Sequence, residues 1–345
     1  MNAFSPVAAL AVRVADSRDR AAVAEFIAEH PAATPFHRLE WLEAIERGCG
    51  QRAHILVAEN ESGVAGLLPL IEIRSPLFGS ALVSTGFGVG GGVLGGCVEP
   101  LAEAAVALAS RSGCESVELR GGTVPHGWQP KTGIYANFAR SLPGEDEAIL
   151  KAIPRKQRAE VRRALGFDLE VRTGRDRRDL ADHYRVYSES VRNLGTPVFP
   201  RRLFEAMLDS FGEEADILTV SRAGRPIASV LSFYMSGTVY PYWGGGTSEA
   251  RSWRANDLLY YELMRNAARR GCTRFDFGRS KLGTGAFAFK KNWGFEPEPL
   301  TYAVHGEARE VNPLSPKYRL QTALWRKLPL PLANRLGPPI AKGLG

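Results

Sequence analysis

Residues 275–297 read FDFGRSKLGTGAFAFKKNWGFEP and set an acid, Asp276, ahead of Arg279, Lys281, Lys290 and Lys291. Phe275 and Phe277 alternate with Arg274 and Asp276, which predicts a strand with one buried face. GRSKLGTG is then the loop at its exit, and AFAFKKNW a short helix. Phe289 and Trp293 stand four apart there and can anchor one face. Cations gathered at a strand exit can hold a phosphate or stabilise an oxyanion, the charges that acyl transfer generates. Asp276 can accept the proton of an attacking amine. Its bland alternative is a structural ion pair with Arg274, Arg279 or Lys290. Lys290 has a bland alternative too, a solvated helix face, and Lys291 is expected to face solvent.

The elements that must position this cluster come from a repeat. FHRLEWLEAI runs into HILVAENESGVAGLLPLIEI over residues 36–73, and FPRRLFEAML runs into DILTVSRAGRPIASVLSFYM over 199–235. Phe36 matches Phe199, and His54 matches Asp216. Both blocks read as an amphipathic helix and a hairpin, with a glycine in each turn (NESG and AGRP) as tight hairpins require. A Gly-rich run follows in each copy, GVGGGVLGG at 88–96 and WGGG at 243–246. Each precedes a helix, at 101–111 and 256–270, and then a short strand, at 116–121 and 274–280. In the second helix Tyr260, Leu263, Met264 and Ala267 fall on one apolar face, with Asn256 as N-cap and Gly271 as the stop. The expected organisation is a domain at 1–150, a second at 151–312 and a Pro-rich tail at 313–345, with the copies joined near 143–155.

Three stretches lie outside the repeat. IPRKQRAEVRRAL (153–165) is a strongly basic helix started by Pro154. Arg158 and Arg162, four apart, can clamp one phosphate; a solvated face is the alternative. The next helix carries Leu180, Tyr184, Tyr187 and Val191 on one face and breaks at Gly195. The tail mixes Leu, Trp325 and Pro with Arg326, Lys327, Arg335 and Lys342. It is either an arm over the second domain or a membrane-surface element, and its prolines exclude one long helix.

Helix, helix, hairpin, strand with Gly-rich exit, helix, strand is the layout of a GNAT acyltransferase domain, here twice. In that fold a splayed strand and a helix N-terminus free backbone N–H groups for an acyl donor. GGGTSEARSWRANDLL (244–259) holds the donor-loop position, with Arg254 either on a phosphate or paired with Glu249 or Asp257. It departs from the usual Q/R-x-x-G-x-G/A pattern. Tyr242, beside the Gly-rich exit, either lines the pocket or packs in the core. The first copy's Gly-rich run reads as a tight backbone passage, and Glu118 stands where Asp276 stands in the second.

The motifs at 153–165, 195–208 and 242–299 resemble the FemAB-like family, and within it the branch associated with exosortase/PEP-CTERM exopolysaccharide loci. The resemblance implies two GNAT-like units. It also implies transfer of an aminoacyl or acyl group to an amine on a cell-envelope or exopolysaccharide precursor. Peptidoglycan members use aminoacyl-tRNA; related members look acyl-CoA-dependent. A Phe-Lys pair that serves the active site in that family matches Phe289-Lys290. With Phe289 and Lys290 from the resemblance and the rest from the residues themselves, the candidates are Lys290 and Asp276 for catalysis, and Tyr242, Arg254, Arg279, Lys281, Phe289, Arg158 and Arg162 for substrate binding. No tightly bound cofactor is expected.

The composition agrees with a globular chain: 345 residues, 44% hydrophobic and 23% charged, with a net charge of +7 that favours an anionic partner. A non-catalytic module that binds RNA or acidic polysaccharide is the rival reading. Four dispersed cysteines show no metal pattern and suit a reducing compartment. The six histidines read as core or surface. Neither a signal peptide nor a membrane span is expected, which points to the cytoplasm.

Overall fold

The computed structural model describes residues 10–307, 309 and 318–345. Contacts divide the chain into two units. The first holds the described residues up to Thr132, those of 301–309, and Gly343–Gly345. The second holds Gly133–Leu300 and the described residues from 318 to Lys342.

In the first unit the order is β1 (Ala11–Val14), α1 (Arg20–Glu29), α2 (Leu39–Cys49), β2 (Arg52–Asn60), β3 (Gly63–Ser75), β4 (Gly79–Ser84), β5 (Leu94–Gly95), α3 (Val98–Ser112) and β6 (Ser116–Arg120). The strands lie in the order β1-β2-β3-β4-β6, and Tyr302–Gly306 of a late strand pairs antiparallel with β6. β4 and β6 are parallel, in register from Leu82–Val117 to Ser84–Leu119. Leu56, Leu68, Leu70 and Leu82 of the sheet pack against Leu101, Ala105 and Leu108 of α3.

The second unit repeats this plan. It contains β7 (Gln129–Asn137, from Gly133 on), β8 (Ala139–Ser141), α4 (Asp146–Ala152), α5 (Arg155–Leu165), β9 (Glu170–Gly174), α6 (Arg177–Leu194), α7 (Arg201–Phe211), β10 (Ala215–Arg222), β11 (Arg225–Met235) and β12 (Thr238–Gly246). There follow α8 (Ala255–Arg269), β13 (Arg274–Asp276), β14 (Ser280–Lys281), α9 (Gly285–Asn292), β15 (Glu298–Gly306, up to Leu300), α10 (Arg319–Lys327) and α11 (Leu330–Ala341). The sheet order is β9-β10-β11-β12-β13-β8, element for element that of the first unit. Even the hairpin polar pairs recur: His54 Nε2 meets Glu72 at 2.8 Å, and the Tyr234 hydroxyl donates to Asp216 at 3.0 Å. Val230, Val239, Phe275 and Phe277 pack against Leu259, Leu263, Met264 and Trp293.

The structure moves some expected boundaries. The junction expected at 143–155 lies inside the second unit, because β8 pairs with β13 and Ile149 of α4 is buried in that unit's core. Ala255, not Asn256, opens α8, with Arg254 in a left-handed cap at φ +54°. Residues 313–317 of the expected tail lie outside the described residues. Residues 319–341 of the tail form α10 and α11: Asn334 of α11 donates to Ser188 of α6, and Gly337 lies close to Val198 beyond the end of α6, while Gly343–Gly345 belong to the first unit. Among the described residues no helix is long and apolar enough to cross a membrane.

Candidate active site

The second unit's sheet opens at its centre. β12 and β13 pair in parallel only at Thr238–Arg274 and Val239–Phe275. β12 then runs on through Gly244–Gly246, while β13 ends at Asp276. Phe277 packs under α8, where it meets Tyr260 at 4.7 Å between ring centroids. Strand alternation puts Asp276 on the opposite face. The gap is therefore walled by the end of β12, the exit of β13, α8 and α9.

Lys290 closes that exit. Thr284 caps α9 by accepting from the Phe287 N–H. Trp293 is fully buried, and Phe289 packs against Tyr260 and Trp293. This anchoring aims the Lys290 ammonium at the turn after β13. Its Nζ donates to the carbonyls of Phe277 (2.6 Å), Gly278 (2.9 Å) and Arg279 (3.0 Å). Three carbonyls use all three ammonium hydrogens, so none is left for an oxyanion in this arrangement. Gly278 at φ +67° lets the three carbonyls converge. Burial pushes the Lys290 ammonium down to about 7, Asp276 opposes that shift and Arg279 adds to it.

Asp276 is half-buried and accepts the Gly278 N–H at 2.8 Å and the Asn137 side-chain amide at 3.3 Å. Among the described residues it makes no ion pair within 4 Å, so the structural pair with Arg274, Arg279 or Lys290 is not formed. Burial raises its pKa above the usual carboxylate range, against the two hydrogen bonds and the more distant charges of Arg274 and Lys290. A basic carboxylate at a cleft is suited to proton acceptance.

The other expected residues divide. Arg279 joins the exit cluster and stacks over Tyr135 at 4.5 Å. Lys281 is held half-buried in β14, paired with Tyr135 of β7. Tyr242 meets Trp243 and Phe233, an aromatic packing position on β12. Arg254 pairs with Glu160 of α5, not with Glu249 or Asp257. Arg158 donates to the Ile153 carbonyl at 3.1 Å, and Arg162 is exposed. Among the described residues no hydrogen bond or ion pair joins Arg158 or Arg162 to Asp276 or Lys290. The expected donor loop is mostly self-satisfied: the amides of Thr247, Ser248, Ala250, Ser252, Arg254 and Ala255 all donate within the protein.

Two tyrosines that the sequence does not mark as site residues also lie at this exit. Tyr260, read only as part of an apolar helix face, turns its hydroxyl toward the glycines of β12, where a Cβ on Gly244 would stand 3.0 Å from it. Among the described residues that hydroxyl has no hydrogen-bond partner, and burial pushes it up to about 12, so it remains a neutral donor. Burial, aided by the Asp276 charge, also pushes Tyr240 up to about 12. The legible signal was a tyrosine instead of a phenylalanine on an apolar face, a polar tip that needs a use.

Residues 152–291 match the acetyltransferase (GNAT) domain family model. No curated protein matches the chain. Among solved structures, FemX is similar at 14% identity with a TM-score of 0.65, covering 84% of this chain and 96% of its own. The tandem GNAT protein from the clavulanic acid biosynthesis pathway is similar at 12% identity and a TM-score of 0.55, over 86% of this chain and 98% of its own. L-PGS from Bacillus licheniformis is similar at 15% identity and a TM-score of 0.53, over 91% and 97%. At these identities the likeness is one of fold: the chain is a tandem of two GNAT-like units, the second matching the GNAT acetyltransferase domain.

Proposed function

We propose that the chain is a FemAB-like N-acyltransferase that moves an acyl or aminoacyl group to an amine on a cell-envelope or exopolysaccharide precursor. The observation that carries this reading is the opening between β12 and β13, with Asp276 on one face and the Tyr260 hydroxyl on the other. The acyl carbonyl lies in the gap. The amine nitrogen attacks it from the Asp276 face and forms the N–C bond, and Asp276 takes the amine proton. The bond from the carbonyl carbon to the donor's sulfur or ribose oxygen breaks, and the leaving thiolate or alkoxide is protonated, with the proton held by Asp276 returned to it directly or through solvent. Tyr260 donates a hydrogen bond to the oxygen or to the leaving group. Lys290 is a positioning residue: it fixes the Phe277–Arg279 turn that carries Asp276, and its charge sits beside the gap. No covalent enzyme intermediate is required.

The donor is an acyl-CoA or an aminoacyl-tRNA. The self-satisfied loop at 247–255 offers few amides to a pyrophosphate, while α5 exposes Arg155, Lys156, Arg162 and Arg163 to a polyanion. That contrast favours the tRNA donor and a cytoplasmic site of action. Labelled acetyl-CoA, longer acyl-CoAs and charged tRNA are to be incubated with the protein and an amine-bearing envelope-precursor mixture. Label is expected in the acceptor fraction from charged tRNA, lost with Asp276→Asn. Transfer from acyl-CoA alone moves the donor assignment to CoA. Salt-sensitive polyanion binding with no transfer from any donor, and no dependence on Asp276, overturns the enzyme reading in favour of a binding module.

A further inference from the structure

α10 and α11 are packed on one side only. Thr322 of α10 lies against Gly195 at the end of α6, and Arg326 donates to the Leu194 carbonyl at 3.2 Å. Leu320 and Leu324, four apart, stand about 160° round the helix from Thr322 and are 71% and 59% exposed. α11 buries Ala333, Gly337 and Ala341 and turns Leu332 and Leu336, also four apart, outward at 42% and 45%. Leu194, at the α6 terminus that Arg326 touches, is 61% exposed. Leucines left in solvent at helical spacing on two successive helices are costly unless something covers them.

The charge around them names the cover. Residues 318–345 contain Arg319, Arg326, Lys327, Arg335 and Lys342, and no Asp or Glu. Among the described residues Arg319, Lys327 and Arg335 form no ion pair, although many other arginines of the chain do. On helical geometry Lys327 shares the outward face with Leu320 and Leu324, and Arg335 flanks Leu336. Outward leucines rimmed by uncompensated cations are complementary to an anionic bilayer surface, where the leucines enter the acyl boundary and the cations meet phosphates. A second copy of the same surface would bring like charges together.

We infer that the outward faces of α10 and α11 form a docking surface for anionic phospholipid bilayers. It holds the protein at the membrane through surface contact. This inference does not rest on the acyl-transfer reading: vesicle binding without transfer, or transfer without vesicle binding, separates the two. The test is co-sedimentation of the full chain with phosphatidylcholine vesicles and with mixed phosphatidylcholine/phosphatidylglycerol vesicles. Binding is expected to the mixed vesicles only and to weaken with salt. The exposed pair Leu320→Ser/Leu324→Ser is expected to weaken it about tenfold or more, and Lys327→Gln about fivefold, with thermal melting unchanged in both. No binding to the mixed vesicles overturns the inference, and so does binding unaltered in the leucine variant. Leucine-dependent self-association in place of vesicle binding assigns the surface to a second copy and overturns it as well.

Discussion

The two units share one sheet order but finish the central pair of strands in different ways. In the first, Arg120 fills the exit. Its guanidinium bonds Glu118 (3.0 Å) and donates to the carbonyls of Thr85 (3.4 Å), Gly88 (3.0 Å) and Gly345 (2.9 Å). Gly92 lies against the Gly121 carbonyl so closely that no Cβ fits. The Gly-rich run is a tight backbone passage, filled by protein. In the second unit Gly278 follows Asp276 where Arg120 would stand, a lysine ties back the turn, and the Tyr260 hydroxyl, without a hydrogen-bond partner among the described residues, faces the glycines. The matched acids follow suit. Burial pushes the Glu118 carboxyl up, but Arg120 and Lys131 outweigh it and hold it at about 2. Among the described residues Asp276 has no paired cation, and burial raises its pKa. One acid is neutralised for stability; the other is kept basic at an opening. One plan thus ends in a filled exit in one unit and in an opening in the other.

The largest expected effect breaks this contrast at its acids. Asp276→Asn is expected to lower transfer by about 10²–10⁴ without lowering the melting temperature, since the carboxylate is already disfavoured by burial. Glu118→Gln is expected to leave transfer per folded molecule intact. Equal activity losses in both, read by initial rates and melting curves, would falsify the division of roles.

Lys290→Met comes next, with transfer down about 10²-fold through loss of the turn's geometry. The pH profile distinguishes the charge from the packing. Above about pH 7 Lys290 loses its proton and one carbonyl bond, so the activity of the natural protein relative to Lys290→Arg falls as pH rises through 7. Stability moves the other way. A lysine held at about 7 when folded titrates near its ordinary value when unfolded, so the unfolded chain binds more protons between the two, and stability rises with pH across that window. Activity and stability moving together would assign Lys290 to packing alone.

Arg120→Met tests the closed unit. It strands Glu118 with Lys131 alone and leaves carbonyls unpaired, at a cost of about 3 kcal/mol, read by denaturant unfolding. Transfer per folded molecule should not change.

The repeat was legible because its helices and hairpins are written in periodicity. Tyr260, Leu263, Met264 and Ala267 mark α8, and the hairpin glycines mark both turns. β8 and β14 were not legible, since two or three residues held by a neighbour carry no period of their own. The exit cluster was legible as composition but not as geometry. The sequence shows Lys290 near Asp276, yet not that its hydrogens go to backbone carbonyls, because those carbonyls converge only after Gly278 takes a left-handed turn. Arg254 shows the same limit. Its partner Glu160 lies on a helix brought alongside by tertiary packing of Val161 and Ala164.

The smallest expected effect bears on the hydroxyl that periodicity hid. Tyr260→Phe keeps the ring that packs on Phe277, Phe289 and Trp293 and removes only the oxygen, so stability should hold. If the hydroxyl donates to the reacting carbonyl or leaving group, transfer should fall about tenfold, the value of one neutral hydrogen bond, in kcat and not in KM. Gly244→Ala sets a Cβ 3.0 Å from the same oxygen and from Val230 Cγ2, and should crowd the gap in either case. The double variant decides between packing and chemistry. If Tyr260 acts through chemistry at the gap, removing the oxygen relieves part of the alanine's crowding but cannot restore the lost hydrogen bond, so the double variant recovers no further than Tyr260→Phe alone. Full recovery in the double variant would make Tyr260 a spacer, and the opening in the second unit would then differ from the filled exit of the first only in what occupies it.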